Sequence, residues 1–352
     1  MPGIRWIRLL VPGVALVILT GCNPFSEARP MMDEYVERLA RVLETEPRFS
    51  DLQPVSQIPR RRERVLSMPE LDIGMLDFLS LYGCKLQRVV GEKNSVMGRV
   101  MQPLNRLRYE LNFIREAREC LPEVEDEELI EALESAIEGK RDSLPIAIWN
   151  ATWGVEEVES LFTLAKGEYP VAPEGNPVSD LVIELKQLNE AVSALLGGDL
   201  DTPLVFAGAV HQRWQAEYRA GQLINSASLL ITRLNDATAL IRQKLEGPPL
   251  CLNGKPNDQS DIVQGMFFSV YIEKIQPYMG AVQQARATLI EPLAALAEKQ
   301  SSVMPPGFDS WFLRHLSRTG EKSLWRQLDE AMMRHTRSWQ ELLEQCGLRP
   351  GA

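Results

Sequence analysis

The sequence predicts an all-α protein: an elongated bundle of helical hairpins with long amphipathic helices, stapled by disulfides. Three observations lead there. Apolar residues recur at spacings of three and four along most of the chain. The alternating Val, Ile and Thr pattern of half-buried strands is almost absent. Four cysteines, Cys84, Cys120, Cys251 and Cys346, remain once Cys22 is assigned to the N-terminal segment, and an even set suits disulfide pairing.

Composition narrows the class. The chain has 352 residues, 45% hydrophobic and 24% charged, with a formal net charge of -10. That is enough apolar material for one large domain or two smaller ones, and it excludes a disordered chain and a polytopic membrane protein. The acidity excludes the basic stripe expected of a nucleic-acid binder.

Residues 1–21 are expected to be a lipoprotein signal peptide. Arg5 and Arg8 supply a positive start, an apolar stretch runs from Leu9 to Thr20, and Leu19-Thr20-Gly21-Cys22 closes it. As a helix the apolar stretch spans about 18 Å, well short of a bilayer core of roughly 30 Å. Small residues before Cys22 suit signal cleavage, and the exposed thiol suits acylation with diacylglyceryl and palmitate-type chains. A plain secretory signal is the alternative. Asn23 lacks the aspartate that retains lipoproteins in the inner membrane, so the expected address is the outer membrane, facing the periplasm.

Element by element, 22–69 reads as a lipidated tether. Tyr35, Val36, Leu39, Val42 and Leu43 give 31–46 a helical face, and 47–69 is an extended connector with room for a short strand. It carries Pro47, Pro54, Pro59 and Pro69 and the run Arg60-Arg61-Arg62-Glu63-Arg64. Helical periodicity covers 70–90. Asn94-Ser95 is expected to cap a helix reaching residue 121, interrupted or kinked at Pro103. Further helices are expected over 125–138, with an acidic first turn suited to the helix dipole, and over 144–162, with Trp149 and Trp153 one turn apart. The Gly/Pro-rich stretch 167–177 is the best internal boundary, dividing an N-terminal helical subdomain (70–166) from a C-terminal long-helix bundle (178–352). The alternative is that the two form a single domain.

Past that boundary, 179–196 is expected to be helical up to Gly197-Gly198. A long amphipathic pattern over 204–245 carries Ala220, Ile224, Ala227, Ile231, Leu234, Ala237, Ile241 and Leu245 on one stripe. A polar loop follows around Cys251. Helix resumes over 262–299 with kinks at Pro277 and Pro292, and 323–346 closes the chain with Trp325, Leu328, Met332, His335, Trp339 and Leu342 in register.

Four cysteines allow three connectivities. Cys84–Cys120 and Cys251–Cys346 are favoured, because each joins neighbouring segments in one half of the chain; reduced, buried thiols are the alternative. Loop closure would contribute roughly 4 and 4.7 kcal/mol respectively.

The lipobox, Tyr82-Gly83-Cys84, the run Lys93-Asn94-Ser95-Val96-Met97-Gly98-Arg99-Val100-Met101, Arg108-Tyr109-Glu110-Leu111 and Cys120 together resemble an uncharacterised group of proteobacterial lipoproteins, domain of unknown function 3080. The resemblance covers nearly the whole mature chain and is most specific over 82–120. It implies a helical, lipid-anchored envelope protein, transfers Cys22 as acylation site, and brings no activity, cofactor or catalytic residue.

Motifs for chemistry are sparse. His211, His315 and His335 lack metal-ligand spacing, and His335 sits on an apolar stripe where a packed core histidine is expected. The acidic run 123–128 lacks the spacing of a calcium loop and reads as a solvated helix start. Arg60, Arg61, Arg62 and Arg64 suit contact with an anionic lipid surface near the acylated end; pairing with the acidic body is the alternative. Trp149 with Trp153, or Trp311 with Phe312, suit sugar stacking or, by default, the core. The reading is a non-catalytic envelope protein that binds or positions an unknown protein partner, bound to the membrane through its lipid. A carrier of lipid or a small apolar ligand between helices is the alternative, with an unfamiliar hydrolase or transferase behind it. No metal, cofactor or nucleic acid is expected.

Overall fold

A computed structural model describes residues 27–69, 81, 83–95, 98–173 and 175–348. The signal sequence, Cys22 and the helix expected over 70–80 lie outside the described residues. Among those described, the regular structure is helical and no strand occurs. In chain order the helices are α1 (Ala28–Val42), α2 (Arg61–Arg64), α3 (Lys85–Asn94), α4 (Pro103–Cys120), α5 (Glu127–Thr152), α6 (Glu157–Leu161), α7 (Ser179–Leu196), α8 (Ala207–Ala216) and α9 (Arg219–Glu246). A long rod follows, made of α10 (Asp258–Met266), α11 (Gln276–Ala285) and α12 (Glu291–Glu298), and then α13 (Pro306–His315) and α14 (Leu324–Glu344). Both disulfides, Cys84–Cys120 and Cys251–Cys346, join the expected pairs, with Cα atoms 5.6 and 5.1 Å apart.

Several boundaries differ from the sequence expectation, each for a physical reason. Ser95 does not open a helix. It closes α3, its hydroxyl donating to Glu92 O at 2.7 Å. The next helix begins at Pro103, which occupies the first turn, where a missing N–H costs nothing. Residues 139–143 do not separate two helices. α5 runs unbroken through Gly139 and Pro145, because Lys140, Leu144, Ala147 and Ile148 are buried and tertiary packing outweighs local propensity. It stops at Thr152, and the rest of the expected 144–162 helix is a turn followed by the short α6. The long pattern over 204–245 is two helices, broken where Glu217 is extended.

The disturbance expected at Pro277 and Pro292 takes the form of a π-helical stretch ahead of each, Phe267–Ile275 and Arg286–Ile290. Proline removes the N–H that an α-helical carbonyl would receive. The widened turn re-pairs the ladder: Gln276 N–H reaches Tyr271 O, and Glu291 N–H reaches Arg286 O. The connector over 47–69 is extended with one helical turn, and no strand forms there.

Two apolar cores result. The large one draws on α1, the connector, the C-terminal half of α5 and everything from α6 to α14, so residues on both sides of 167–177 pack in one cluster. The central helix α9 buries the predicted stripe, from Ala220 to Ile241. Gly221 is required there: a Cβ would lie 2.0 Å from the Thr163 carbonyl oxygen. The small core joins α3, α4 and the first half of α5 through Leu86, Val89, Val90, Tyr109, Phe113, Ile114, Ala117, Leu129, Leu133 and Ile137. Helix α4 belongs to both, with Leu107 and Leu111 in the large cluster and Tyr109 and Phe113 in the small one.

Candidate functional site

His335, His315 and the four disulfide cysteines are each committed to bonds within the fold. His335 is fully buried at the junction of α1, α9 and α14. Trp339 Nε1–H donates to Tyr35 Oη (2.8 Å), leaving the Tyr35 hydroxyl to donate to His335 Nε2 at 2.6 Å. His335 Nδ1–H then donates to Thr238 Oγ1 (3.0 Å), whose own proton goes to Leu234 O. Every donor has one acceptor, which fixes a neutral imidazole, and burial pushes its pKa down to about 3. His315 is neutral by the same logic. Its Nε2 accepts from Ser56 N–H (3.3 Å), its Nδ1–H donates to Trp311 O (3.1 Å), and burial lowers its pKa to about 4. His211 is also buried, which lowers its pKa.

Arg64 leaves the four-arginine surface group and follows the alternative, pairing with the acidic body through Glu159. It is fully buried, and its guanidinium caps the end of α5, donating to Trp153 O, to Val155 O (3.2 Å) and to Glu159 Oε1 (3.0 Å). A cation is favoured beside the free carbonyls of a helix C-terminus. Arg61 assists, its Nε–H donating to Gly154 O at 3.1 Å, while Arg60 and Arg62 remain at the surface. Trp149 Nε1–H donates to Arg64 O (2.7 Å), and Asn150 brackets Leu66 with two 2.8 Å bonds, so the connector is clamped onto α5. Trp149 and Trp153 are buried among Phe162 and Phe308, and Trp311 and Phe312 are buried as well; none offers a sugar-stacking platform. In the acidic run, Asp126 caps α5 by accepting from Leu129 N–H. Among the described residues no group of three or more His, Cys, Asp or Glu is placed to hold a metal ion.

What remains open is a cleft of about 1070 Å³ between α3 and α4, in the small core. Arg88, Val89 and Glu92 line it from α3; Asn105, Arg108, Tyr109 and Asn112 line it from α4; Ser95, Gly98, Val100, Met101 and Gln102 lie between. Two devices hold its walls. Cys84–Cys120 ties the start of α3 to the end of α4. Gly98 seats against the end of α3, where a Cβ would lie 2.2 Å from Glu92 O, and its N–H donates to Ser95 Oγ at 3.0 Å. Behind Tyr109 is a buried charge cluster: Glu110 receives Lys140 Nζ at 2.8 Å and Arg106 Nε at 2.5 Å, and Lys140 also stands 4.5 Å from the Phe113 ring. Burial holds the Lys140 pKa below its ordinary value.

Arg88, Asn105 and Asn112 were not among the residues singled out from sequence, and Arg108 figured only in the family resemblance. Asn105, Arg108 and Asn112 do share a helical face, at i, i+3 and i+7. The cleft coincides with the segments behind the family resemblance, since Ser95, Gly98, Val100, Met101, Arg108 and Tyr109 all line it.

Residues 32–350 match the family model described as Protein of unknown function (DUF3080). The chain belongs to this family. No curated protein and no solved structure matches it.

Proposed function

We propose that this member of a family of unknown function is a lipid-anchored protein of the outer membrane, facing the periplasm, that acts by binding and positioning an envelope partner. The observation that carries the reading is the fate of the reactive side chains. Four cysteines are oxidised in two disulfides, as an oxidising compartment favours, and His315 and His335 have both ring nitrogens committed inside the core. The side chains that would do chemistry hold the fold instead. The lipobox at Leu19-Thr20-Gly21-Cys22 supports the anchor. No described helix is long and apolar enough to cross a membrane.

The open cleft between α3 and α4 favours a second reading, a carrier of a small ligand between helices. In-cell crosslinking followed by mass spectrometry separates the two: a reproducible protein adduct supports the scaffold, and a small-molecule adduct alone supports the carrier. For the anchor, the mature N-terminus is expected to be an acylated Cys22, with Cys22→Ala moving to the soluble fraction. An unmodified N-terminus on the wild-type protein would overturn the anchoring.

A further inference from the structure

We infer that the α3–α4 cleft is a binding site for an amphiphile bearing a net negative oxyanion. The inference rests on the second reading, the carrier of a small ligand, and deepens it by naming the ligand chemistry; its test needs neither the lipid anchor nor a cellular partner.

The charge in the cleft is arranged for an acceptor. Arg108 is held by two neutral groups, Nη1 donating to Asn105 Oδ1 at 3.1 Å and Nη2 to Leu204 O at 2.8 Å. Its plane is thereby fixed while no carboxylate among the described residues lies within ion-pair distance. Arg88, on the facing helix, is exposed and likewise has no carboxylate partner. Guanidinium groups present their N–H donors as a fork that fits carboxylate and phosphate oxygens.

The side-chain amides add to this polarity. Asn105 spends its carbonyl on Arg108, and Asn112 spends its own on Arg115 at 2.7 Å. Their NH2 groups are what remain for a ligand. One carboxylate, Glu92, shares the lining, so two arginines against one glutamate leave it cationic in a chain of formal charge -10.

An apolar part is called for by the rest of the lining. Val89, Met101 and the Tyr109 ring join it, and Val100 is 72% exposed at its edge. At about 1070 Å³ the cleft far exceeds a lone anion and sits at the upper end of small-molecule sites. The disulfide and the Gly98 contact fix both walls in advance, which limits the ordering that binding requires.

The test is calorimetric titration of the full chain with three probes: monomeric dihexanoyl-phosphatidylglycerol, its zwitterionic choline analogue, and inorganic phosphate. The anionic amphiphile is expected to bind at least tenfold more tightly than either control, and to weaken as salt is raised. Arg88→Gln and Arg108→Gln should each lower its affinity tenfold or more, with Arg242→Gln, an exposed arginine of α9 paired with Glu341, as an unchanged charge control. Arg88 supports no described contact, so its variant tests the site without disturbing the fold. Equal binding of the choline analogue would overturn the oxyanion requirement, and equal binding of inorganic phosphate would overturn the amphiphile. Loss of neither affinity in the two variants, or no heat from any probe at millimolar concentration, would overturn the site itself.

Discussion

In the large core, five aromatic rings from α5, α13 and the turn after α6 pack within 5.0 to 6.3 Å of one another, and two neutral histidines thread hydrogen bonds between helices far apart in sequence. The small core has twelve buried residues, no tryptophan and no histidine; it relies on a disulfide and on a charge cluster at its seam with the large one. A small apolar cluster buries too little surface to order its helices unaided, so covalent and ionic ties do a larger share of the holding. The same economy leaves room for a polar cleft. A helix face that must be dry to contribute to a large core can stay wet and charged in a small one.

The comparison breaks most sharply with acid. His335 and His315 are neutral when folded and titrate near 6.5 when unfolded, so the unfolded chain takes up protons first as pH falls. Their contribution is fully present above about pH 6.5 and is lost as pH falls, toward about 3 for His335 and about 4 for His315. At about 1.4 kcal/mol for each pH unit, this is on the order of 5 and 3 kcal/mol. Hydrogen exchange between pH 7 and 3 should therefore show α1, α9 and α14 losing protection before α3 and α4. His335→Gln, which keeps a donor and an acceptor, should lower the acid midpoint.

Next in size is the staple. Cys84→Ser with Cys120→Ser should cost about 4 kcal/mol, seen as lost protection in α3 and α4 with the large core intact. Uniform loss of protection across the molecule would show that the two cores are a single cooperative unit. Glu110→Gln should follow at about 3 kcal/mol, because it leaves Lys140 charged and buried without a counter-ion; chemical denaturation reads this. Smallest is Arg88→Gln, expected to change stability by less than about 0.5 kcal/mol while lowering the affinity for the anionic amphiphile tenfold or more.

The fold class was legible from periodicity, and the disulfide pairs from economy of sequence separation. The stripe on α9 and the core placement of His335 followed from spacing alone. What sequence could not reveal was set by tertiary contact. Residues 139–143 were left between two expected helices, yet buried neighbours carry α5 through them. Arg64 read as a surface cation, although only the folded chain brings the end of α5 to it. The cleft escaped because its arginines sit on two helices that only the folded chain brings face to face.

The central claim, that this protein works at the small core, can be put to one measurement in living cells. A photo-crosslinking residue is placed at Val100, on the cleft and 72% exposed, and separately at Ile183, on α7 of the large core and 74% exposed. An adduct of defined mass at position 100 and none at 183 is the predicted result. Equal labelling at both positions, or adducts only at 183, would contradict it.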